Sequence, residues 1–370
     1  MSGLARKTTS TSPRRTRETI QVGRSSVNRS DLQGLRRAWG NNHLVLFLGA
    51  GISLDHGIPS WKNLVLEMLS NQTEHAARMR ALFPNYRRTL SSWLADYFEY
   101  NPVILARMIE DDIRQHARRK RSREDDRLSF LETIRRHLYA SVKSDPTGTT
   151  LVAIADFIKR SKGHIPAIVT FNFDDLLERE LRKRRGEHTS VHTAARVGHA
   201  VLPIIHPHGL IPQVGDLTES NVIFTERHYH QLMETMFHWA LTEIVSHLRH
   251  HTVLFLGLSM SDPNIRRLLD ACRNSEIPPH WQVQKRHEIR DHERLQVAQD
   301  VERRAREWGT ILGNEYIKEP RELLDVIDAT LRQADTYDRQ LFERMGVKTI
   351  WLSSFADIGI LLEKIVSARS

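Results

Sequence analysis

The sequence is short of cysteine and of long apolar runs, and both shortages narrow the classes of protein it can encode. Cys272 is the single cysteine among 370 residues, which excludes an intramolecular disulfide and a zinc site built on cysteine pairs. Cysteine usage this low is typical of a cytoplasmic protein. No run approaches the roughly 18 apolar residues of a membrane-spanning helix, and the first residues lack the apolar core of a signal peptide. We therefore expect a cytoplasmic protein that does not enter a membrane.

Two common phosphate-binding signatures are also missing. Gly49-Ala50-Gly51 follows the apolar run Leu44–Leu48, but no Gly-Lys-Ser/Thr comes after it and the third glycine of the dinucleotide fingerprint is absent. An apolar run that ends in glycine is typical of a buried strand of a parallel sheet. Glycine at the carboxyl end of such a strand lets the backbone turn sharply and approach a phosphate. Taken alone, the motif is equally consistent with an ordinary tight turn.

Positive charge is in excess and unevenly distributed. The 54 lysine and arginine residues outnumber the 45 acidic residues, and the formal net charge is +9. Residues 1–30 are basic and rich in serine and threonine, with Glu18 as their only acid, which predicts a disordered tail. For the basic clusters 118–123 and 182–185 we favour solvated helix faces. Binding of nucleic acid or of an acidic partner is the alternative, and the lack of interleaved aromatic residues weakens a single-strand site.

Apolar runs alternate with amphipathic stretches, which indicates an α/β fold. Apolar residues recur at helical spacing from Trp61 and again from Leu90, so a helical insert is expected at about 62–146, after the first strand. The charged stretch 285–343 is expected to be a second helical excursion. Alternating strands and helices predict one Rossmann-like domain over 31–370, a mostly parallel sheet with helices on both faces. Further strands are predicted at 167–171, 200–205, 252–256 and 347–352, and helices at 151–159, 176–184, 226–249 and 358–366.

Small or ionisable residues follow each of four predicted strands. Carboxyl ends of parallel strands share one edge of the sheet, where ligands bind at the switch point of the strand order. Each group also has a plain structural explanation as a helix cap, a turn or a surface histidine. Their coincidence on four strands favours a ligand site at that edge. The four segments are 49–53, 172–175, 206–209 and 257–262.

These motifs resemble those of the sirtuin-like NAD-consuming proteins. The similarity covers roughly residues 40–270, with the helical insert as an interruption, and the motifs occur in the order found in the family. The stretch Val222–Leu269 looks like the bacterial branch of the family that is linked to phage defence. The matching segments read Gly-Ala-Gly-Ile-Ser from Gly49, Gly-Ile-Pro from Gly57, Thr-Phe-Asn-Phe-Asp from Thr170, His208-Gly209, and Gly-Leu-Ser from Gly257.

The resemblance implies which residues bind NAD and which act on it. Asn172 and Asp174 would lie beside the nicotinamide ribose, and His208 would be the general base. An imidazole suits that role because it titrates near neutral pH. The residues expected to hold the rest of NAD are Gly49, Ala50, Gly51, Ser53, Pro59, Trp61, Gly257 and Ser259.

The chain departs from the deacetylating sirtuins in ways that bear on the reaction. Those proteins carry a cysteine-rich zinc module, which a chain with one cysteine cannot form. Phe171 stands where the family has glutamine, and Ser60-Trp61-Lys62 replace its Asp-Phe-Arg. Without the module, water is a better acceptor than an acetyl-lysine peptide. The sequence therefore predicts an NAD glycohydrolase with no metal, which forms nicotinamide and ADP-ribose.

The resemblance further implies anti-phage defence by NAD depletion. A homo-oligomer or a partner such as a translocase-type ATPase, an Argonaute or another sensor would then control the activity. An NAD-dependent deacylase and a non-catalytic NAD or nucleotide sensor are the rival functions. A nucleic-acid-binding protein or nuclease is a third, and it rests mainly on the net charge.

Overall fold

The computed structural model describes residues 19–71, 101–119, 126–143, 149–194, 201–234, 238–260, 262–273, 277–289, 291–312 and 320–367. The predicted helical pattern that begins at Leu90, the tail before residue 19 and residues 120–123 of the first basic cluster lie outside this part of the chain.

Seven parallel strands form the central sheet, in the order β5-β6-β4-β3-β7-β8-β9. Every neighbouring pair in this sheet runs parallel, so all the carboxyl ends lie at one edge. The predicted Rossmann-like α/β fold is confirmed. The strands are β3 (Leu44–Leu48), β4 (Ile168–Thr170), β5 (Thr189–Val191), β6 (Pro203–Ile205), β7 (Thr252–Leu256), β8 (His280–Lys285) and β9 (Val347–Leu352).

The core lies on both faces of this sheet because the central strands are apolar throughout. Successive side chains of a strand point to opposite faces. In β3, Leu44, Leu46 and Leu48 pack in one cluster, whereas Val45 and Phe47 pack in the other. Helices cover each face, as a parallel sheet requires. The helices are α1 (Arg29–Gly40), α2 (Trp61–Asn71), α3 (Pro102–Arg119), α4 (Asp126–Leu138), α5 (Thr150–Arg160), α6 (Leu176–Lys183), α7 (Glu226–Glu234), α8 (Trp239–His250), α9 (Pro263–Cys272), α10 (Asp291–Leu312), α11 (Pro320–Arg344) and α12 (Ile358–Val366).

The amino-terminal boundary of the fold lies earlier than the sequence predicts. Residues 19–28, which the prediction places in a disordered tail, form an antiparallel hairpin of β1 (Thr19–Val22) and β2 (Ser25–Asn28). Val22 and Val27 are buried, and the backbone N–H of Ser353 donates to Ser25 Oγ at 2.7 Å. Because the segment as a whole is highly charged, the apolar positions on either side of the left-handed Gly23 (φ 57°) do not stand out in the sequence.

The helical insert and the charged excursion both contain helices. α2, α3 and α4 fall in the insert, and Asn101 caps α3 by accepting the N–H of Val103 at 3.0 Å. α10 and α11 fill much of the excursion predicted at 285–343. The single helix predicted at 226–249 is instead two helices, α7 and α8, and β5 and β8 are strands that the sequence did not predict.

The basic cluster at 182–185 lies at the end of α6 among acidic neighbours. Lys183 Nζ is 2.5 Å from Glu180 Oε1, and Arg184 Nε is 2.6 Å from Asp156 Oδ1. Arg182 lies 3.9 Å from a carboxylate oxygen of Asp175. Much of this charge is therefore balanced locally, as expected of a solvated helix face.

Candidate functional site

The four strand ends singled out by sequence lie side by side. β6, β4, β3 and β7 are consecutive in the sheet. Past the last residues that pair in the sheet, hydrogen bonds of side chains and of loop backbone connect the four strand ends. The predicted residues of segments 49–53, 172–175, 206–209 and 257–262 therefore meet at one edge.

The glycines after β3 and β7 allow the two backbones to touch. Gly49 and Gly51 donate their N–H groups to the carbonyls of Leu256 and Gly257 at 3.0 and 2.9 Å. A Cβ atom on Gly51 would lie 2.8 Å from Gly257 Cα, and one on Gly49 would lie 2.6 Å from Gly257 O. Gly257 itself is left-handed, with φ 61°. The close packing of the two strand ends is therefore by itself a reason for glycine at these positions.

This packing limits which amides could reach a phosphate. The N–H groups of Gly49 and Gly51 are already bonded to β7, and that of Ser53 donates to Ala50 O at 3.1 Å. Ala50 begins a short 3-10 turn, and the first N–H of such a turn has no acceptor within it. Of the predicted phosphate-binding residues, Ala50 is the one whose amide suits that role best.

Ser53 and Asn172 join the ends of β3 and β4. Both side chains are buried, and Asn172 Nδ2 donates to Ser53 Oγ at 3.2 Å. In this arrangement the amide nitrogen of Asn172 faces Ser53 and its oxygen faces away. Asn172 Oδ1 is buried and has no hydrogen-bond partner among the described residues. A buried acceptor of this kind is costly unless a donor reaches it, so it is a candidate ligand contact.

Asp174 presents a second buried oxygen to the same region. Its Oδ1 accepts the N–H of Leu176 at 3.2 Å, whereas Oδ2 has no partner among the described residues. Burial raises the pKa of Asp174 to about 7. At neutral pH this group therefore divides between a carboxylate and a neutral acid that can donate a hydrogen bond.

His208 lies among aromatic rings at the end of β6. Its ring centroid is 5.3 Å from that of Phe171 and 5.7 Å from that of Tyr229. This apolar setting lowers the pKa of His208 to about 4, against a smaller opposing effect of Asp262. The imidazole is therefore neutral at physiological pH and can accept a hydrogen bond from water, but it is a weaker base than the imidazole titrating near neutral pH that the sequence predicts.

A small cavity adjoins this histidine. It has a volume of about 20 Å³, and its lining includes Phe171, His208, Tyr229 and Asp262. That volume suits about one water molecule. Asp262 belongs to the predicted strand-end segment 257–262, whereas the sequence did not identify Tyr229 as a site residue, because its nearness to His208 depends on how α7 packs.

His206 lies only two residues before His208, but its hydrogen bonds do not suit it to act as a base. It is fully buried, with Nε2 2.7 Å from Glu178 Oε1 and Nδ1 3.2 Å from the carbonyl of Asn172. The sequence does not reveal this pairing, because Glu178 lies on α6, 28 positions before His206. Among the described residues no group of three metal-ligating side chains comes together.

The helical insert reaches the site through Tyr139. Its hydroxyl accepts the N–H of Asp175 at 3.0 Å and lies 2.7 Å from Ile211 O and 3.0 Å from Asp175 Oδ1, the two acceptors available to its proton. This bond network ties the insert to the segment that follows Asn172. The sequence did not identify Tyr139, because its apolar neighbours mark only a core-facing helix.

The remaining predicted residues occupy the margin of the site. Trp61 begins α2, and its half-buried ring lies 6.0 Å from the ring of Phe224. Pro59 is half-buried just before it, whereas Ser259 is exposed after β7. The geometry thus brings Ser53, Asn172 and Asp174 together on adjacent strand ends, with His208 at the next one.

Strand order and site geometry define a Rossmann-like protein with a candidate ligand site at the carboxyl edge of its sheet. Residues 166–308 match a family model described as SIR2-like domain. This part of the chain is therefore similar to SIR2-like domains, as the motifs predict, and the match supports an enzyme that uses NAD. The matched region contains β4, β6 and β7, which carry three of the four strand ends.

Other comparisons add little. A solved structure from work on the "Structural Basis for the Mechanism and Regulation of Sir2 Enzymes" is similar at 14% identity and a TM-score of 0.35, over 83% of this chain and 98% of that one. A TM-score this low carries no argument. No curated protein matches the sequence. Within the described ranges, no helix is both long and apolar enough to cross a membrane.

Proposed function

We propose that the protein is an NAD glycohydrolase that forms nicotinamide and ADP-ribose. The carrying observation is the placement on adjacent strand ends of the neutral imidazole of His208 and of buried oxygens of Asn172 and Asp174 that have no hydrogen-bond partner among the described residues. The SIR2-like match favours NAD as the ligand, and a chain with one cysteine cannot form the cysteine-rich zinc module of the deacetylating sirtuins.

The three side chains suit hydrolysis of the bond between nicotinamide and ribose. As that bond breaks, its electron pair leaves with nicotinamide and positive charge develops on the sugar ring. The oxygens of Asn172 and Asp174 can accept hydrogen bonds from the ribose hydroxyls and orient the sugar. His208 can take the proton that water loses as its oxygen bonds to the ribose carbon. The reaction consumes one water and releases one proton.

The turn after β3 would hold the pyrophosphate side through Ala50. The amide of Ala50 can donate to a phosphate oxygen, because it is not used within the turn. Ser53 holds the nitrogen of Asn172, so phosphate binding at the turn and orientation of the ribose contact are linked through one hydrogen bond. Gly257 and Ser259 would lie toward the adenosine half, next to the same turn.

Nicotinamide release by purified protein tests the proposal. We expect His208→Ala to lower kcat by about 10²- to 10⁴-fold, the usual contribution of a positioned acid or base. We expect Asn172→Ala to lower kcat by about 10²-fold, the effect of a misplaced substrate. His230→Ala is the matched control, since His230 is an exposed histidine on α7. Full activity in both site variants would refute the assignment.

The same assay separates the rival functions. Deacetylation of an acetylated peptide in step with NAD loss would identify a deacylase. Binding of NAD without nicotinamide release, with a partner complex included, would identify a sensor. Salt-sensitive binding of DNA would support a nucleic-acid function.

We further propose, from the motif resemblance, that the activity serves anti-phage defence and is controlled by self-association or by a partner protein. Cellular NAD measured after phage infection tests this role. We expect NAD to fall in cells that express the wild type and to remain constant with His208→Ala. An NAD level unaffected by infection in both strains would refute it.

A further inference from the structure

A buried pair of ionisable groups lies directly beneath the proposed site. His206 and Glu178 are essentially inaccessible to solvent, and their contact of 2.7 Å joins β6 to α6. Glu178 Oε1 also accepts the hydroxyl of Ser190, on β5, at 3.1 Å. The other ring nitrogen of His206 faces the main-chain carbonyl of Asn172 at 3.2 Å. None of these contacts is needed by the mechanism derived above.

The bond partners settle how many protons the pair carries. A backbone carbonyl can only accept a hydrogen bond, so Nδ1 of His206 must carry a proton. The Nε2–Oε1 contact needs a second proton between the two atoms. One excess proton therefore resides on the pair, and an imidazolium facing a carboxylate is its natural form. A neutral ring protonated at Nε2 would direct a lone pair at the Asn172 carbonyl.

The charges around the ring favour the ion pair. Burial alone would lower the pKa of His206, but the carboxylate of Glu178 more than offsets it, and the pKa of His206 is raised. Burial likewise opposes ionisation of Glu178, yet His206 keeps the pKa of Glu178 below its usual value. The other ionisable group that acts on the ring is Asp174, from the end of β4, and Ser190 on β5 is uncharged.

We propose that His206 and Glu178 form a positioning pair, in which the doubly protonated ring fixes the main chain of Asn172 relative to β6. This inference rests on the proposed function only for its catalytic consequence. The last paired residues of β4 and β6 are Val169 and Ile205, so the sheet ladder does not hold Asn172. Ser53 restrains the side chain of Asn172 from one side, and His206 restrains its backbone from the other.

The charge state of the ring can be measured without any activity. In ¹⁵N-histidine NMR spectra of the full chain, the two signals lost in His206→Gln belong to this ring. We expect both to show mainly imidazolium at pH 6.5, where an ordinary imidazole would be about half protonated, because the carboxylate of Glu178 raises the pKa of His206. Signals of a mainly neutral ring at that pH would overturn the proposal.

The positioning role is tested with Glu178→Gln, which preserves size and removes the charge. The side-chain amide signal of Asn172, assigned by its loss in Asn172→Ala, should shift or broaden in this variant. For nicotinamide release we expect kcat to fall about 10- to 100-fold, the effect of a small misplacement, with KM within about threefold.

Asp335→Asn is the matched control, because it disrupts a histidine–carboxylate contact of 2.6 Å, with His287, outside the site. It should leave the Asn172 signal and kcat unchanged. If Glu178→Gln lowered thermal stability but left the Asn172 signal in place, the pair would be structural only and the proposal would fail. A wild type that never releases nicotinamide refutes the proposed function instead, while both NMR measurements still decide whether the pair positions Asn172.

Discussion

Alanine substitutions at four glycines separate the two reasons for which this fold needs glycine. Gly257 has a left-handed backbone, and a Cβ there would also lie 2.6 Å from Ile52 N. At Gly51 an alanine would meet only the steric clash, with its Cβ 2.8 Å from Gly257 Cα. At Gly163 it would meet only the left-handed backbone, since φ is +87° and the surroundings are open. At Gly40 it would meet neither the clash nor the strain.

The expected losses in free energy of unfolding follow from these geometries. A left-handed non-glycine residue costs about 1–2 kcal/mol. Overpacking against backbone atoms that cannot rotate away costs about 1–3 kcal/mol. Gly163→Ala should therefore lose about 1–2 kcal/mol, Gly51→Ala about 1–3 kcal/mol, and Gly257→Ala about 2–5 kcal/mol. Gly40→Ala should be neutral or stabilising by up to about 1 kcal/mol, since it lies in a helix.

Urea denaturation followed by circular dichroism measures these differences, provided the slope m is the same for all variants. NAD binding adds a second readout. Gly51→Ala and Gly257→Ala should weaken it because they push the β3 and β7 ends apart, whereas Gly163→Ala should leave it unchanged at equal loss of stability. The reasoning is refuted if Gly51→Ala is no less stable than Gly40→Ala.

Three further predictions concern single side chains. In the folded protein the pKa of Asp174 is raised to about 7, above its unfolded value near 3.9. The stability that Asp174 contributes is therefore fully present below about pH 3.9 and is lost as the pH rises through about 7. Asp174→Asn should flatten that part of the stability–pH curve in urea melts. Because the pKa of His208 is lowered to about 4, wild-type kcat/KM should show no decline attributable to this base between pH 8 and 6, and an acid limb near the ordinary imidazole value would contradict its burial. Tyr139→Phe leaves the N–H of Asp175 without its acceptor and removes the hydroxyl that faces Ile211 O, and it should cost about 1–3 kcal/mol in urea melts. The control Tyr337→Phe should cost almost nothing, because Tyr337 is 62% exposed; equal losses in the two tyrosine variants would remove the insert's anchoring role.

The strands that sequence predicts and those it misses differ in how they are buried. β3 and β7 read as uninterrupted apolar runs because both of their faces are covered. β8 is covered as well, yet it buries the polar residues His280 and Gln282. His280 Nδ1 accepts the N–H of Val253, and Gln282 Nε2 donates to Thr349 Oγ1. A polar residue whose partner is distant in sequence looks like a surface residue, so hydropathy patterns cannot identify such a strand.

The same physics explains which parts of the site could be predicted. Glycine motifs and residues that follow a strand can be found from local order, because parallel strands bring their carboxyl ends to one edge. His206 could not be identified as a partner of Glu178, since 28 residues and the whole of β5 separate them. Only the tertiary packing of α6 places the Glu178 carboxylate against His206.

Three different bonds join the four strand ends in series, and this arrangement has a mechanical consequence. Backbone contacts of Gly51 with Gly257 hold β3 to β7, the Ser53–Asn172 bond holds β3 to β4, and His206 holds β4 to β6. Asn172 takes part in two of the three, so its position depends on both neighbours at once. Loss of either restraint should therefore displace the ribose contact without removing any group that touches it. Combined loss of both, as in Ser53→Ala with Glu178→Gln, should be non-additive, because the two bonds restrain the same residue.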